Sequence, residues 1–261
     1  MSTALITGAS GGIGKAFAEE LAKRNTNLVL VARSQEKLNE LASQLQEQHK
    51  IQVDVIVQDL TEAGAANAVF NATKEKGLTI DLLINNAGFG DYGDFSDRDG
   101  EKQVKIVQLN VLALVDLTHK FLPLMRQRRS GSIINMASIA GFQAIPYISV
   151  YAASKAFVIS FSEALWAENR AHGVKVLVSC PGPTETNFFN EAKFPPALAN
   201  TASKIASPES VVHDSLKALE KGQQIVVSGG IGSQIITRLT RFVPRKTLVS
   251  ILEKNFKASQ N

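Results

Sequence analysis

Seven short β-branched runs, each separated from the next by a longer stretch of helical periodicity, constrain this chain more than any other feature. The runs are Ala4-Leu5-Ile6, Leu28-Val29-Leu30-Val31, Val53-Asp54-Val55-Ile56-Val57, Leu82-Leu83-Ile84, Ser132-Ile133-Ile134-Asn135, Lys175-Val176-Leu177-Val178 and Ile225-Val226-Val227. Between them, stretches such as Gly14 to Arg24, Glu36 to Gln48 and Ala152 to His172 repeat apolar residues three and four apart, the period of a helix with one buried face. Strand, helix, strand repetition requires crossovers, so the expected fold is α/β: a doubly wound parallel sheet of seven strands with helices on both faces. No Pro/Ser-rich linker and no internal repeat divides the 261 residues, which are read as one domain. Two segments fit the alternation poorly. Residues 187–207, with Phe188, Phe189, Phe194 and the Pro195-Pro196 pair, are expected to form a lid, and 229–261 a C-terminal extension.

Composition narrows the partners. The chain is 44% hydrophobic and 20% charged, ordinary for a water-soluble domain with a sizeable core. Its net charge of +4 comes from Lys and Arg scattered over the helices, which does not point to nucleic acid. The lone Cys180 has no partner for an internal disulfide and is read as a buried strand residue. The first residues lack a basic start followed by an apolar stretch, and no apolar run reaches the roughly 20 residues of a membrane span, so a cytoplasmic protein is expected.

Thr7-Gly8-Ala9-Ser10-Gly11-Gly12-Ile13-Gly14 follows the first strand and opens the first helix. Backbone N–H groups and the helix dipole favour a pyrophosphate at such a place. Gly8 is suited to the tight turn, Gly12 to close approach of the diphosphate and Gly14 to packing of helix on strand. Gly8, Ser10, Gly12, Ile13 and Gly14 are therefore candidate cofactor contacts in a Rossmann-type site. The second strand ends in Val31-Ala32-Arg33-Ser34, where dinucleotide folds that use NAD commonly carry an acid for the ribose 2′-hydroxyl. With the acid missing and a guanidinium in its place, the expected cofactor is NADP(H), with Arg33 on the 2′-phosphate. Three further strand ends converge on the same ligand: Asp59-Leu60, facing the adenine; Asn85-Asn86-Ala87-Gly88, whose amides can bridge strand ends; and Pro181-Gly182-Pro183-Thr184-Glu185-Thr186, facing the nicotinamide carboxamide.

Tyr151 and Lys155 stand at i and i+4 on one helix face. A neighbouring ammonium favours phenolate and is expected to lower the tyrosine pKa by roughly 1–3 units, toward the range useful for proton transfer. Lys155 can also reach the nicotinamide ribose. Ser138 ends the fifth strand, where it can hydrogen-bond a substrate oxygen or cap a helix. Asn110 falls in an apolar part of a helix, where it either links Lys155 to solvent through a carbonyl and a water or marks a kink.

Taken together, and in this order and spacing, the glycine turn, Asn85-Asn86-Ala87-Gly88, Asn110, Ser138, Tyr151 with Lys155, and Pro181-Gly182 through Thr186 resemble the short-chain dehydrogenase/reductase family, over nearly the whole chain. The likeness is nearest to the group of 3-ketoacyl and 17β-hydroxysteroid reductases. It implies a tetrad of Asn110, Ser138, Tyr151 and Lys155, no metal, and a homodimer or homotetramer. A basic residue before the second glycine, found in some NADPH users, is replaced here by Gly11, so the cofactor preference rests on Arg33.

The expected activity is hydride transfer between NADP(H) and a carbonyl or alcohol carbon, with Tyr151 as general acid/base. A catalytically idle NADP(H)-sensing or scaffolding protein is the alternative. Phe142, Ile145 and Phe188, with Ser138 and Tyr151, are the candidate substrate contacts, and their apolar character suits a lipophilic molecule. The tail sets Arg238, Arg241, Arg245 and Lys246 among Ile235, Ile236, Leu239, Phe242, Leu248, Val249, Ile251 and Leu252. It can rest on an anionic membrane surface, but a cover for the pocket or an interface is favoured.

Overall fold

A computed structural model describes residues 1–195, 205–230 and 243–257. All seven runs are strands: β1 (Thr3–Thr7), β2 (Asn27–Ala32), β3 (Val53–Val57), β4 (Leu82–Asn85), β5 (Gly131–Met136), β6 (Val174–Pro181) and β7 (Ile225–Ser228). They form one sheet in the order β3-β2-β1-β4-β5-β6-β7, and every pairing is parallel. Because helices cover both faces, central strands alternate nothing: β1 is buried at every position.

One face carries α1 (Gly12–Lys23), α2 (Gln35–His49) and α8 (Pro208–Glu220), whose Phe17, Leu38 and Val211 join Ile6, Leu30 and Leu177. The other carries α3 (Ala65–Glu75), α5 (Leu114–Arg128) and α6 (Ser149–Asn169), whose Val69, Phe121 and Leu165 meet Leu5, Val29 and Ile133. Phe17 is fully buried, and burial of such a side chain contributes about 1.5–3 kcal/mol before the entropy of ordering it is counted. Among the described residues the remaining α-helices are α4 (Gly100–Val107), α7 (Phe188–Glu191) and α9 (Arg245–Lys257). Between α4 and α5 the backbone widens into a π-helical segment, Gln108–Ala113.

Strand order reverses direction between β1 and β4, which opens a crevice at their carboxyl ends. Gly8, at φ +66°, and Ala87 line it so closely that a Cβ on Gly8 would stand 2.9 Å from the Ala87 Cα. The residues of the expected tail from 231 to 242, including Arg238, Arg241, Ile235, Ile236, Leu239 and Phe242, lie outside the described residues, as do 196–204 of the expected lid.

Candidate active site

Backbone builds one half of the crevice. Helix α1 begins at Gly12 with no side chain capping its first N–H groups and no acid in its first turn, so those donors and the positive end of the dipole face the crevice. A Cβ at Gly14 would lie 2.2 Å from the Gly8 carbonyl oxygen, so only glycine lets α1 pack on the turn. Thr186 folds over the same turn, its Cγ2 being 3.0 Å from where a Gly12 Cβ would sit. Ser10 is half-buried on the turn, and Ile13 is turned into the core.

Hydrogen bonds lock the strand ends. The Thr7 hydroxyl accepts from the N–H groups of Asn86 and Ala87, and Asn86 Nδ2 donates to Thr7 O at 2.9 Å. Asn85 Nδ2 donates to Thr118 and Asn135, tying β4 to α5 and β5. In the β6 loop the Thr184 hydroxyl donates to Gly182 O, Gly182 N–H donates to Ser228 O, and the Thr186 hydroxyl accepts from Phe188 N–H.

Arg33 stands at the mouth with its side chain 76% exposed, and its Nη1 is 3.9 Å from Asp59 Oδ2. The second strand thus lacks an acid of its own, but the third supplies one nearby. Burial raises the Asp59 carboxyl, yet hydrogen bonds from Thr61 and the charges of Arg33 and Lys105 outweigh it and hold Asp59 below the usual carboxylate range. The Leu60 side chain is buried in the core beside Val29, leaving only its backbone toward a ligand.

Side chains build the other half. Lys155 is buried, and its Nζ donates to Met136 O at 2.8 Å and lies 5.7 Å from the centre of the Tyr151 ring. Gly88 separates Lys155 from Asn110, since a Cβ there would be 3.4 Å from Lys155 Nζ and 3.0 Å from Asn110 Oδ1. Asn110 is on the π-helical segment, where the extra backbone lets its amide face Phe89. Its Oδ1 accepts from Phe89 N–H and its Nδ2 donates to Phe89 O and to Ser154 Oγ, each at 3.1 Å. The kink is therefore the means by which Asn110 clamps the loop after β4, and Ser154, which donates to Tyr151 O, carries the clamp into α6.

Ser138 caps a short 3-10 helix by accepting from Ala140 N–H at 3.1 Å. Its hydroxyl also lies 3.5 Å from Pro181 O and hydrogen-bonds the Tyr151 phenol, which pairs it with the tyrosine as well as with the cap.

The expected fall in the Tyr151 pKa does not occur in the free protein. Burial pushes the phenol up to about 12, against a weaker opposing hydrogen bond from Ser138. The same burial pushes Lys155 down to about 8, so the ammonium that was to depress the tyrosine is itself disfavoured.

Rings surround Tyr151. Phe188 on α7 is 5.1 Å away centre to centre, and Ile145 joins Tyr92, Ile148 and Ala152 in the cluster on which Tyr151 packs. Leu252 and Phe256 of α9 pack on this cluster too, and the Tyr92 hydroxyl donates to Phe256 O at 2.7 Å. Phe142 departs from expectation: it packs with Leu114, Val158 and Cys180, away from this wall, because the 3-10 helix turns it toward β6. Sequence reading also passed over Gly90, Asp91 and Ser154. A Cβ at Gly90 would be 2.9 Å from Phe188 Cζ and 3.2 Å from Tyr151 Cδ2, and only the unusual Phe89-Gly90-Asp91 composition beside the strand end hinted at such contact.

A family model described as short chain dehydrogenase matches residues 2–195. The very-long-chain 3-oxoacyl-CoA reductase of Anas platyrhynchos is 33% identical over 258 residues, covering 97% of this chain and 80% of that protein. A short-chain dehydrogenase from Sphingobium yanoikuyae in complex with NADPH superposes with a TM-score of 0.83 at 31% identity, over 96% of this chain and 95% of that one. The bulky-bulky ketone specific alcohol dehydrogenase from Comamonas testosteroni does so with a TM-score of 0.80 at 32% identity, over 96% and 94%. The doubly wound sheet is thus matched in sequence and in shape, and the chain belongs to the short-chain dehydrogenase/reductase family, oxidoreductases acting on CH–OH and C=O groups.

Proposed function

We propose that the chain is an NADP(H)-dependent reductase of bulky, lipophilic ketones in which Tyr151 gives the proton. The observation that carries this reading is the surroundings of the Tyr151 ring: Phe188 is 5.1 Å away centre to centre, the buried Lys155 Nζ is 5.7 Å from the ring centre, and Gly90 packs so closely that a Cβ there would stand 2.9 Å from Phe188 Cζ. Apolar surroundings with one proton donor suit a ketone flanked by large apolar groups. The likeness to the bulky-bulky ketone specific alcohol dehydrogenase from Comamonas testosteroni supports that class.

The uncapped start of α1, the glycines that admit no Cβ and the Thr186 cover fit a dinucleotide diphosphate. Arg33 is exposed and only loosely paired with Asp59, so a 2′-phosphate can take the guanidinium. NADPH supplies the hydride. Tyr151, protonated across the working range because of its raised pKa, donates to the carbonyl oxygen as charge develops there. Ser138 donates a second hydrogen bond to that oxygen while its lone pair keeps the Ala140 cap. Lys155 offsets the charge of the phenolate left behind. Asn110 and Ser154 hold Phe89 and the first turn of α6 in register.

The working form is a homo-oligomer. Val104, Val107, Leu112 and Phe157, all exposed, lie on α4, the π-helical segment and α6, which pack side by side, and a second copy would cover them.

The test is turnover of a diaryl ketone by purified protein with NADPH, compared with Tyr151→Phe. We expect Tyr151→Phe to lower kcat by about 10²–10⁴-fold while NADPH affinity is retained. Equal turnover by the two proteins, or NADPH binding with no turnover of any ketone by the wild type, would defeat the reading.

A further inference from the structure

Five residues after β4 touch every part of the Tyr151 pocket. Phe89 is clamped by Asn110, and Gly90 is pressed against Tyr151 and Phe188. Tyr92 N–H donates to Ala192 O just past α7, its hydroxyl reaches Phe256 O on α9, and its ring lies 5.1 Å from Phe194. Gly93 N–H donates to Tyr147 O at 2.8 Å.

Asp91, in the middle of this strip, contributes nothing to the pocket. Its carboxylate is fully buried and takes four hydrogen bonds, two from Arg98 just before α4 and two from the first turns of α4 itself: Arg98 Nε at 2.6 Å and Nη2 at 2.8 Å, Lys102 Nζ at 2.5 Å and Gln103 Nε2 at 2.9 Å. The Arg98 stem also lies against Gly93, where a Cβ would meet its Cδ at 2.6 Å. A buried carboxylate is costly to desolvate, and an apolar side chain would anchor a loop at lower cost; what a bidentate, four-donor latch adds is a single position.

We infer that Asp91 is a positioning residue for bulky substrates: held by Arg98, Lys102 and Gln103, it fixes the strip 89–93 and thereby the packing of Gly90 on Tyr151 and Phe188. The choice of substrates for its test rests on the reductase reading above, but the geometry does not. The chain has three tyrosines, Tyr92, Tyr147 and Tyr151, and all three border this strip or contact a residue that does. Its one tryptophan, Trp166, is elsewhere, stacked under Arg170 and bonded to Gly222 O. Tyrosine signals therefore report the wall, and tryptophan emission reports the rest of the fold.

The experiment compares wild type, Asp91→Asn and Asp91→Glu by 3-fluorotyrosine NMR, Trp166 emission and the ratio of kcat/KM for a diaryl ketone to that for a dimethyl ketone. Asp91→Asn is expected to move at least two of the three fluorotyrosine resonances, leave Trp166 emission unchanged and lower the ratio about tenfold, chiefly through KM for the larger ketone. Asp91→Glu, which restores the charge, is expected to recover part of the ratio. Unmoved resonances, or equal losses on both ketones, would overturn the inference. If Asp91→Asn does not fold, Lys102→Met, which removes one donor from the rim, is put to the same measurements with the same criteria. If the wild type reduces neither ketone, the reductase reading fails and the tyrosine spectrum alone decides the role of Asp91.

Discussion

The two halves of the crevice are made of different material. The half proposed for the cofactor is backbone: Gly8, Gly12, Gly14 and the Thr7 and Asn86 bonds set it from residues that neighbour each other in the sheet, and its tolerance is small because a Cβ at Gly14 would overlap Gly8 O at 2.2 Å. The half proposed for the substrate is side chain: rings from the β4 loop, the Tyr147 loop, α6, α7 and the residues just after α7 lean on one another at 5.1–6.2 Å. Rings at such spacings can be exchanged for others of similar volume, whereas a missing Cβ cannot be exchanged at all. One fold can therefore keep its cofactor while changing its substrate.

Substitutions should separate the halves. Gly14→Ala is expected to have the largest effect, destabilising the protein by about 3 kcal/mol or more and abolishing NADPH binding; a soluble variant with unchanged NADPH affinity in calorimetry would erase the distinction. Next comes Arg33→Ala, expected to raise KM for NADPH roughly tenfold to a hundredfold with little change for NADH. A matched change in both would mean that the mouth does not read the 2′-phosphate.

The pH profile sharpens the other side. With Lys155 near 8 in the free protein and Tyr151 near 12, kcat/KM for reduction should be flat below pH 7 and fall about tenfold per unit above 8, as Lys155 loses its proton. Stability should move the opposite way. The folded pKa is depressed, so between about 8 and 10.5 the unfolded chain holds the proton that the folded one has released, and folding gains as pH rises through that window. A profile that falls only near pH 10 would show that Lys155 keeps an ordinary pKa. The smallest effect is expected from Phe256→Ala, which should cost about 1 kcal/mol of bulky-ketone binding, roughly fivefold in KM, with NADPH affinity untouched.

The same division explains what could be read in the sequence. β-Branched runs and glycines are local signals, and they marked all seven strands and the turn at Gly8 to Gly14. Asn110 was visible as an oddity in an apolar stretch, but its clamp on Phe89 depends on a π-helical insertion that no periodicity announces. Asp91 reads as a solvated loop acid until Arg98, Lys102 and Gln103 fold over it. Phe142 could not be told from Ile145 by position, since Phe142 ends one turn of 3-10 helix that leaves Ile145 outside it. The tyrosine pKa was misjudged because spacing shows the nearby lysine and hides the burial of both.

The hydrogen bond from Tyr92 to Phe256 spans 164 positions. On a ribosome, β1, β4 and the turn between them emerge long before α9, so the glycine crevice can form while the pocket around Tyr151 still lacks one side. A nascent chain would then complete the glycine crevice before the wall around Tyr151, and a chain cut short of Phe256 would keep the first without the last side of the second.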